Sequence, residues 1–201
     1  MAAALAWWAH ARAPGGAADA SPPEASGLST WLHAGMGHAV TPAAPPPAFH
    51  TGLENLPASL RGTEVPGKLA VDAAGHLKVD RGVRDMFDYF LTTTGEEGDD
   101  VIRARVQAYA KDHLPSAATA ELMALYDQYL SYKQRCASLA QNMAGNGLEQ
   151  IRSRVAAVRL AQAEMFNPDV VQAFFGDDNA YDDYEIGKAA ILQDRSLGAT
   201  D

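Results

Sequence analysis

From residue 50 onward the chain carries regular apolar patterning. In KLAVDAAGHLKVD (68–80) apolar and polar residues alternate on both sides of AAG, with Leu69 and Val71 before it and Leu77 and Val79 after it. That period of two predicts a short hairpin. Beyond it the period becomes helical. Asp80 can cap a helix over 82–93, with Gly95 as its stop. DDVIRARVQAYAKDHL (99–114) opens with two acids that suit the positive end of a helix, and Pro115 ends it. Ser116 is placed to cap the next helix, where Leu122, Leu125, Tyr126, Tyr129, Leu130 and Cys136 fall at helical steps and form one broad stripe. AGNG (144–147) breaks that stripe. The following helix presents Leu148, Ile151, Val155, Val158 and Met165 on one side, with Arg152, Arg154 and Arg159 largely elsewhere. Asn167-Pro168 starts a short helix to Phe175 that Gly176 stops, and YDDYEIGKAAILQD (181–194) forms a last helix. The pattern predicts a mainly α protein built as an array of amphipathic helices, with a small hairpin-bearing unit at its N-terminal end.

Residues 1–49 lack this pattern. Only Arg12, Asp19 and Glu24 are charged there, and the span holds seven of the eleven prolines. APGGAADASPPEASG and TPAAPPP have too few large apolar groups to offset ordering entropy, so they read as a flexible or polyproline-like linker. STWLHAGMGHA is a short apolar island within it. MAAALAWWA at the start is apolar but shorter than the roughly 20 residues a membrane span needs, and it lacks the basic start of a signal peptide. Two readings remain: a disordered N-terminus, which is the simpler one for the segment by itself, and the tail of a longer membrane helix with Trp7 and Trp8 at the interface.

Charge and composition narrow the function. The net charge is −9, from 16 basic and 25 acidic residues. Such a chain gains nothing by neutralising phosphates, which argues against nucleic acid as a partner. The single cysteine, Cys136, rules out an intrachain disulfide framework.

GTEVPGKL (62–69) comes within one residue of a phosphate-binding loop: Gly62, Gly67 and Lys68 fit, and Leu69 stands where Ser or Thr is needed. Its context argues against a nucleotide. NLPASLR before it is no buried strand, a hairpin rather than a helix follows, Pro66 removes an amide from the cradle, and Leu69 supplies no hydroxyl for magnesium. Lys68 then reads as a solvent-facing residue at a strand edge. No two of His10, His33, His38, His50, His76 and His113 form a helix-spaced zinc pair. DDNAYDDYE (177–185) lacks the glycine and glutamate of a calcium loop and reads as a solvated acidic turn and helix start. There is no G-x-S-x-G elbow, and Cys136 sits on the apolar stripe. No cofactor, metal or catalytic set is expected.

RDMFDYFLTT (84–93) stands apart. On a helix, Arg84, Phe87, Asp88 and Leu91 share one face, with Val83, Met86 and Phe90 adjoining. Arg84 and Asp88 can pair, in the weaker order with the acid C-terminal. Thr92, Thr93 and Thr94 are poor helix formers, so that end requires tertiary contacts. On the residues alone, this is a core helix with one ion pair.

The stretch also resembles the signature of the lipase-specific foldases, the lipase chaperones of Gram-negative bacteria: R-x-x-F-D-Y-[FC]-L-[ST]-A. Arg84, Phe87, Asp88, Tyr89, Phe90, Leu91 and Thr92 match, and Thr93 stands where that family has alanine. Upstream, SLRGTEVPG resembles the family element S-L-x-G-T-x-x-D-G through Ser59, Leu60, Gly62, Thr63 and Gly67, with Pro66 in place of the aspartate. VVQAFFGDDNAYDDY is similar to the family's helical region. The resemblance runs from about residue 57 to the end.

It implies a remnant of an N-terminal membrane helix at 1–13, a linker at 14–52, a first mini-domain with the signature at 53–114, and the first part of an extended helical domain at 115–201. A second mini-domain is expected to be missing. The resemblance also implies a steric chaperone, not an enzyme, that folds a secreted lipase without ATP on the periplasmic side of the inner membrane, with the signature residues serving partner binding. Two other classes stay open at this stage: a helical interaction module without foldase activity, and a hydrolase using a carboxylate of 177–185.

Overall fold

In the computed structural model the described residues are 47–143, 145 and 147–193. The apolar start, the island STWLHAGMGHA and most of the linker therefore lie outside the described residues, as do two positions of AGNG. Among the described residues a single 3-10 turn, Ala58–Leu60, precedes five α-helices: α1 Arg81–Leu91, α2 Asp99–His113, α3 Ser116–Asn142, α4 Leu148–Met165 and α5 Pro168–Gln193. Each helix packs on the next, and α5 returns to α1. No strand occurs among the described residues, and no described helix is long and apolar enough to cross a membrane.

The predicted hairpin is reduced to one antiparallel bridge between Val71 and Leu77. Asp72 N–H donates to His76 O and Lys78 N–H to Ala70 O, each at 2.9 Å. The Asp72 carboxylate accepts from the amides of Ala74 and His76, which closes the turn. Only Leu77 of the bridged pair is buried, and Val71 is exposed. Two such short strands have no shared apolar face to cover, so they cannot propagate a ladder. The turn is fastened to α3 instead. Glu121 lies 2.6 Å from His76 Nδ1 and accepts from Leu77 N–H at 2.7 Å.

α1 starts as its sequence indicates, with the Asp80 carboxylate accepting from Val83 N–H at 3.3 Å. It ends two residues before the predicted Thr93. The hydroxyls of Thr92, Thr93 and Thr94 donate to the carbonyls of Tyr89, Phe90 and Leu91, which satisfies the last turn locally. Gly95, at φ +95°, then turns the chain away. Ser116 proves to be the first residue of α3, not its cap: Pro115 occupies the cap position in an extended conformation (ψ 157°). Proline there ends α2 and starts α3 with no residue to spare.

The larger correction concerns Gly176. α5 passes straight through it to Gln193, so the two predicted helices are one, and 177–185 is helical throughout rather than a turn. Gly176 does not adopt the positive φ of a helix stop. Tertiary bonds on the residues just beyond it, described below, hold the helix on course.

The core is aromatic. Phe87, fully buried, meets Tyr126, Tyr129 and Phe174 at ring-centroid distances of 5.1, 5.7 and 6.3 Å. Tyr132, Phe166 and Phe175 form an adjoining group. The stripe Leu122, Leu125, Tyr126, Tyr129 and Cys136 is buried as its spacing indicates, and Leu130 is packed at its margin. GTEVPGKL does not open a helix. Its Gly67 has φ +78° and lies so close to α1 that a Cβ there would sit 2.6 Å from Gly82 Cα. Lys68 is exposed.

One buried cation was not anticipated. Arg105 of α2 is 2% exposed. It pairs with Glu97 at 2.7 Å and donates to the carbonyls of Gly52, Glu54 and Asn55, while Phe49 covers its guanidinium at 4.2 Å. This one side chain gathers residues 49–55 onto α2.

Two predictions follow from these anchors. Arg105→Ala leaves Glu97 uncompensated and three carbonyls unpaired, and should lower stability by about 3–5 kcal/mol, read from the urea midpoint. The turn anchor should depend on pH. Bonding to the Glu121 carboxylate raises the pKa of His76 above its ordinary 6.5, and bonding to His76 lowers that of Glu121 below 4.5. The His76 contribution is complete below 6.5 and is lost as pH rises through the raised value. The Glu121 contribution is complete above 4.5 and is lost as pH falls through the lowered value. Amide protection of residues 76–78 should therefore be greatest between pH 4.5 and 6.5 and decline on either side. Glu121→Gln should flatten that profile.

Candidate functional site

α1 is placed so that its polar signature residues reach two other helices. Asp88 points at α3, where its carboxylate accepts from the Tyr129 hydroxyl at 2.9 and 3.0 Å and from Lys133 Nζ at 2.9 Å. Burial, then the Asp88 charge, push the pKa of Tyr129 well above its ordinary value, so the phenol stays protonated and donates. Arg84, one turn earlier, points at α5. It donates to the Phe174 carbonyl and to Asp178, and its guanidinium lies over the Phe175 ring at 5.2 Å. Arg84 Nε and Asp88 are 3.6 Å apart, the ion pair expected within α1. That pair is one edge of a larger node joining α1, α3 and α5.

The apolar signature residues face inward. Phe87 and Phe90 are fully buried, and Leu91 packs against the core. Tyr89 is 9% exposed, and its hydroxyl shares a hydrogen bond of 3.2 Å with the Thr63 hydroxyl. Thr92 caps the end of α1. The upstream element lies beside it. Thr63 also donates to Leu60 O, Leu60 is buried, and Gly62 turns at φ +75°. Glu96 accepts from Ala58 N–H at 3.0 Å, and its pKa is lowered, first by the Ser59 hydroxyl. Gly67 packs against Gly82 as described. The two motifs, separate in sequence, thus meet at the Thr63–Tyr89 bond.

Several residues in this arrangement escaped sequence reasoning. Tyr129 was legible as a stripe member but not as the donor to Asp88. Asp178 was read as part of a solvated acidic turn. Its side chain is only 22% exposed, because Arg84 and Arg81 bracket it from α1, with Arg81 Nη1 at 3.4 Å. Asp183 of the same stretch pairs with Arg159 at 2.8 Å. Nothing local to DDNAYDDYE signals those partners. Among the described residues no group of His, Cys, Asp and Glu is arranged to hold a metal. The Cys136 thiol is buried, and burial raises its pKa.

Next to the node, α3, α4 and α5 enclose a cleft of about 470 Å³. Its walls include Tyr132, Ile151, Val155, Val158 and Ile186, and Arg84 and Asp178 also line it. The α4 stripe read from sequence is thus only half covered. On α5, Tyr184, Ile191 and Leu192 are exposed at 62, 63 and 78%. Chemically, the arrangement offers a shaped apolar surface backed by a bridged charge cluster.

Comparison with known proteins agrees with this layout. Residues 125–201 match the family model described as proteobacterial lipase chaperone protein. A lipase chaperone of Ectopseudomonas mendocina is 39% identical over 146 residues, covering 72% of this chain and 44% of that protein. One from Stutzerimonas stutzeri is 39% identical over 143 residues, 71% of this chain and 43% of its own length. One from Chromobacterium violaceum is 34% identical over 139 residues. The matched part of the chain thus spans less than half the length of these curated relatives. These likenesses place the chain in the proteobacterial lipase chaperone family.

Proposed function

We propose that this chain acts as a steric chaperone for a secreted lipase, promoting its folding to the active state without ATP, on the periplasmic side of the inner membrane. The observation that carries this reading is the likeness to proteins named lipase chaperones, at 39% identity over 72% of the chain. The geometry supports it in kind. A folding catalyst lowers a barrier by binding the transition or near-native state better than the unfolded chain. That needs a wide surface of fixed shape, and the half-covered faces of α4 and α5 next to a rigid node are such a surface.

The signature acts, in this reading, from within. Arg84, Phe87, Asp88 and Phe90 hold α1, α3 and α5 in register, while Tyr89 and Thr63 join the upstream element to α1. Preorganisation of this kind reduces the ordering cost of binding a client. The carboxylates of 177–185 that could serve a hydrolase are in part committed to arginines: Asp178 to Arg81 and Arg84, and Asp183 to Arg159.

The test is refolding of denatured lipase from the same genome with and without this chain, in nucleotide-free buffer. The chain should raise the yield of active lipase, and added ATP should change nothing. Asp88→Ala and Tyr89→Ala should each lower the activation rate by about tenfold, which corresponds to roughly 1.4 kcal/mol of lost transition-state binding. If either variant activates the lipase as well as the parent, the role given to the signature is wrong. A module that only binds would form a complex with the lipase while leaving the yield unchanged.

A further inference from the structure

We infer that Arg84 and Asp178 are positioning residues that staple α5 across Gly176, and that this staple sets the α5 wall of the cleft. Glycine is a poor residue for a helix interior, and 174–178 would break more readily than most stretches of α5. In a helix the carbonyl of residue 174 takes the amide of residue 178. Arg84 grips both ends of that same turn, donating to the Phe174 carbonyl and to the Asp178 carboxylate. One guanidinium nitrogen, Nη1, therefore makes both contacts and bridges the turn that holds the glycine. Arg81 adds contacts to Asp177 at 3.5 Å and Asp178 at 3.4 Å. From the opposite side, α4 holds the next residues: Asn179 donates to Gln162 at 2.9 Å, and Arg159 donates to the Asn179 carbonyl at 2.6 Å.

The consequence is directional. Tyr181, Ile186, Ala189 and Leu192, all beyond Gly176, line the cleft. Phe174 and Phe175, before it, are buried in the aromatic core. Loosening the staple frees the outer half of α5 and leaves the inner half seated. The signature arginine thus controls a surface whose residues lie about a hundred positions downstream in the sequence. The link from that surface to client binding rests on the chaperone reading above, whereas the staple itself does not.

The experiment is amide hydrogen exchange on the 201-residue chain, with lipase refolding in parallel. Asp178→Asn and Asp178→Ala should each lower protection across 177–190 by about tenfold while amides of α1, α2 and α3 stay near parent values. Gly176→Ala in the Asp178→Asn background should restore protection without restoring the ion pair. A Cβ at Gly176 meets only the end of the Gln172 side chain, which is exposed and can swing away. Unchanged protection at 177–190 in both single variants, an equal loss in all helices, or no recovery with Gly176→Ala would each overturn the staple. Lipase activation should fall and recover in the same order. Recovery of protection without recovery of activation keeps the staple and overturns the role of the α5 wall in folding the client.

Discussion

The structure depends on one partly buried charge arrangement, the bridging of Arg84 and Asp88 from α1 to α5 and α3. Helices α1 and α5 lie far apart in the chain, and each alone has only an apolar stripe to guide it. Apolar stripes are forgiving about register, because dispersion contacts can slide. Charged groups are not. A partly buried guanidinium that loses its carboxylate carries a large desolvation cost, so the correct pairing is favoured over a slipped one far more strongly than packing alone would favour it. The node therefore selects one arrangement among several that would bury similar apolar area.

A second arginine, this one buried on α2, works in the same way. Arg105 gathers the carbonyls of Gly52, Glu54 and Asn55 and the carboxylate of Glu97 around a side chain with almost no solvent contact. That loop has no secondary structure of its own and would otherwise leave its carbonyls to water. The close approach of Gly67 to Gly82, possible only without side chains, fixes the entry to α1. The stretch 59–67 thus meets α1 through two different physical means, a hydroxyl bond and a backbone contact.

These constraints bear on function through shape. A chaperone dedicated to one client gains by presenting a surface that does not have to order on binding. The cleft among α3, α4 and α5 has one end anchored in the node, and its far wall is the outer half of α5. In the chaperone role proposed above, the largely interior residues of 84–92 act by deciding where the parts of that surface stand.

Much of the helical layout was legible in the sequence by itself. Apolar spacing marked the face of α3 that is buried, Asp80 marked the start of α1, and Pro115 marked the boundary between α2 and α3. These are local properties, set by the helical period, capping chemistry and the fixed proline φ. The family was also readable as a resemblance, carried by the motifs at 59–67 and 84–92. What the sequence could not decide was every feature whose cause lies far along the chain. Gly176 and the acids after it have the local character of a stop, yet the segment is helical, with side chains of α1 and α4 bonded along it. Leu69, Val71, Leu77 and Val79 alternate like strands, yet with no sheet to join they form a single bridge tied to Glu121. Local propensity amounts to about 1 kcal/mol per residue, and tertiary charge pairing and packing outweigh it wherever the two disagree.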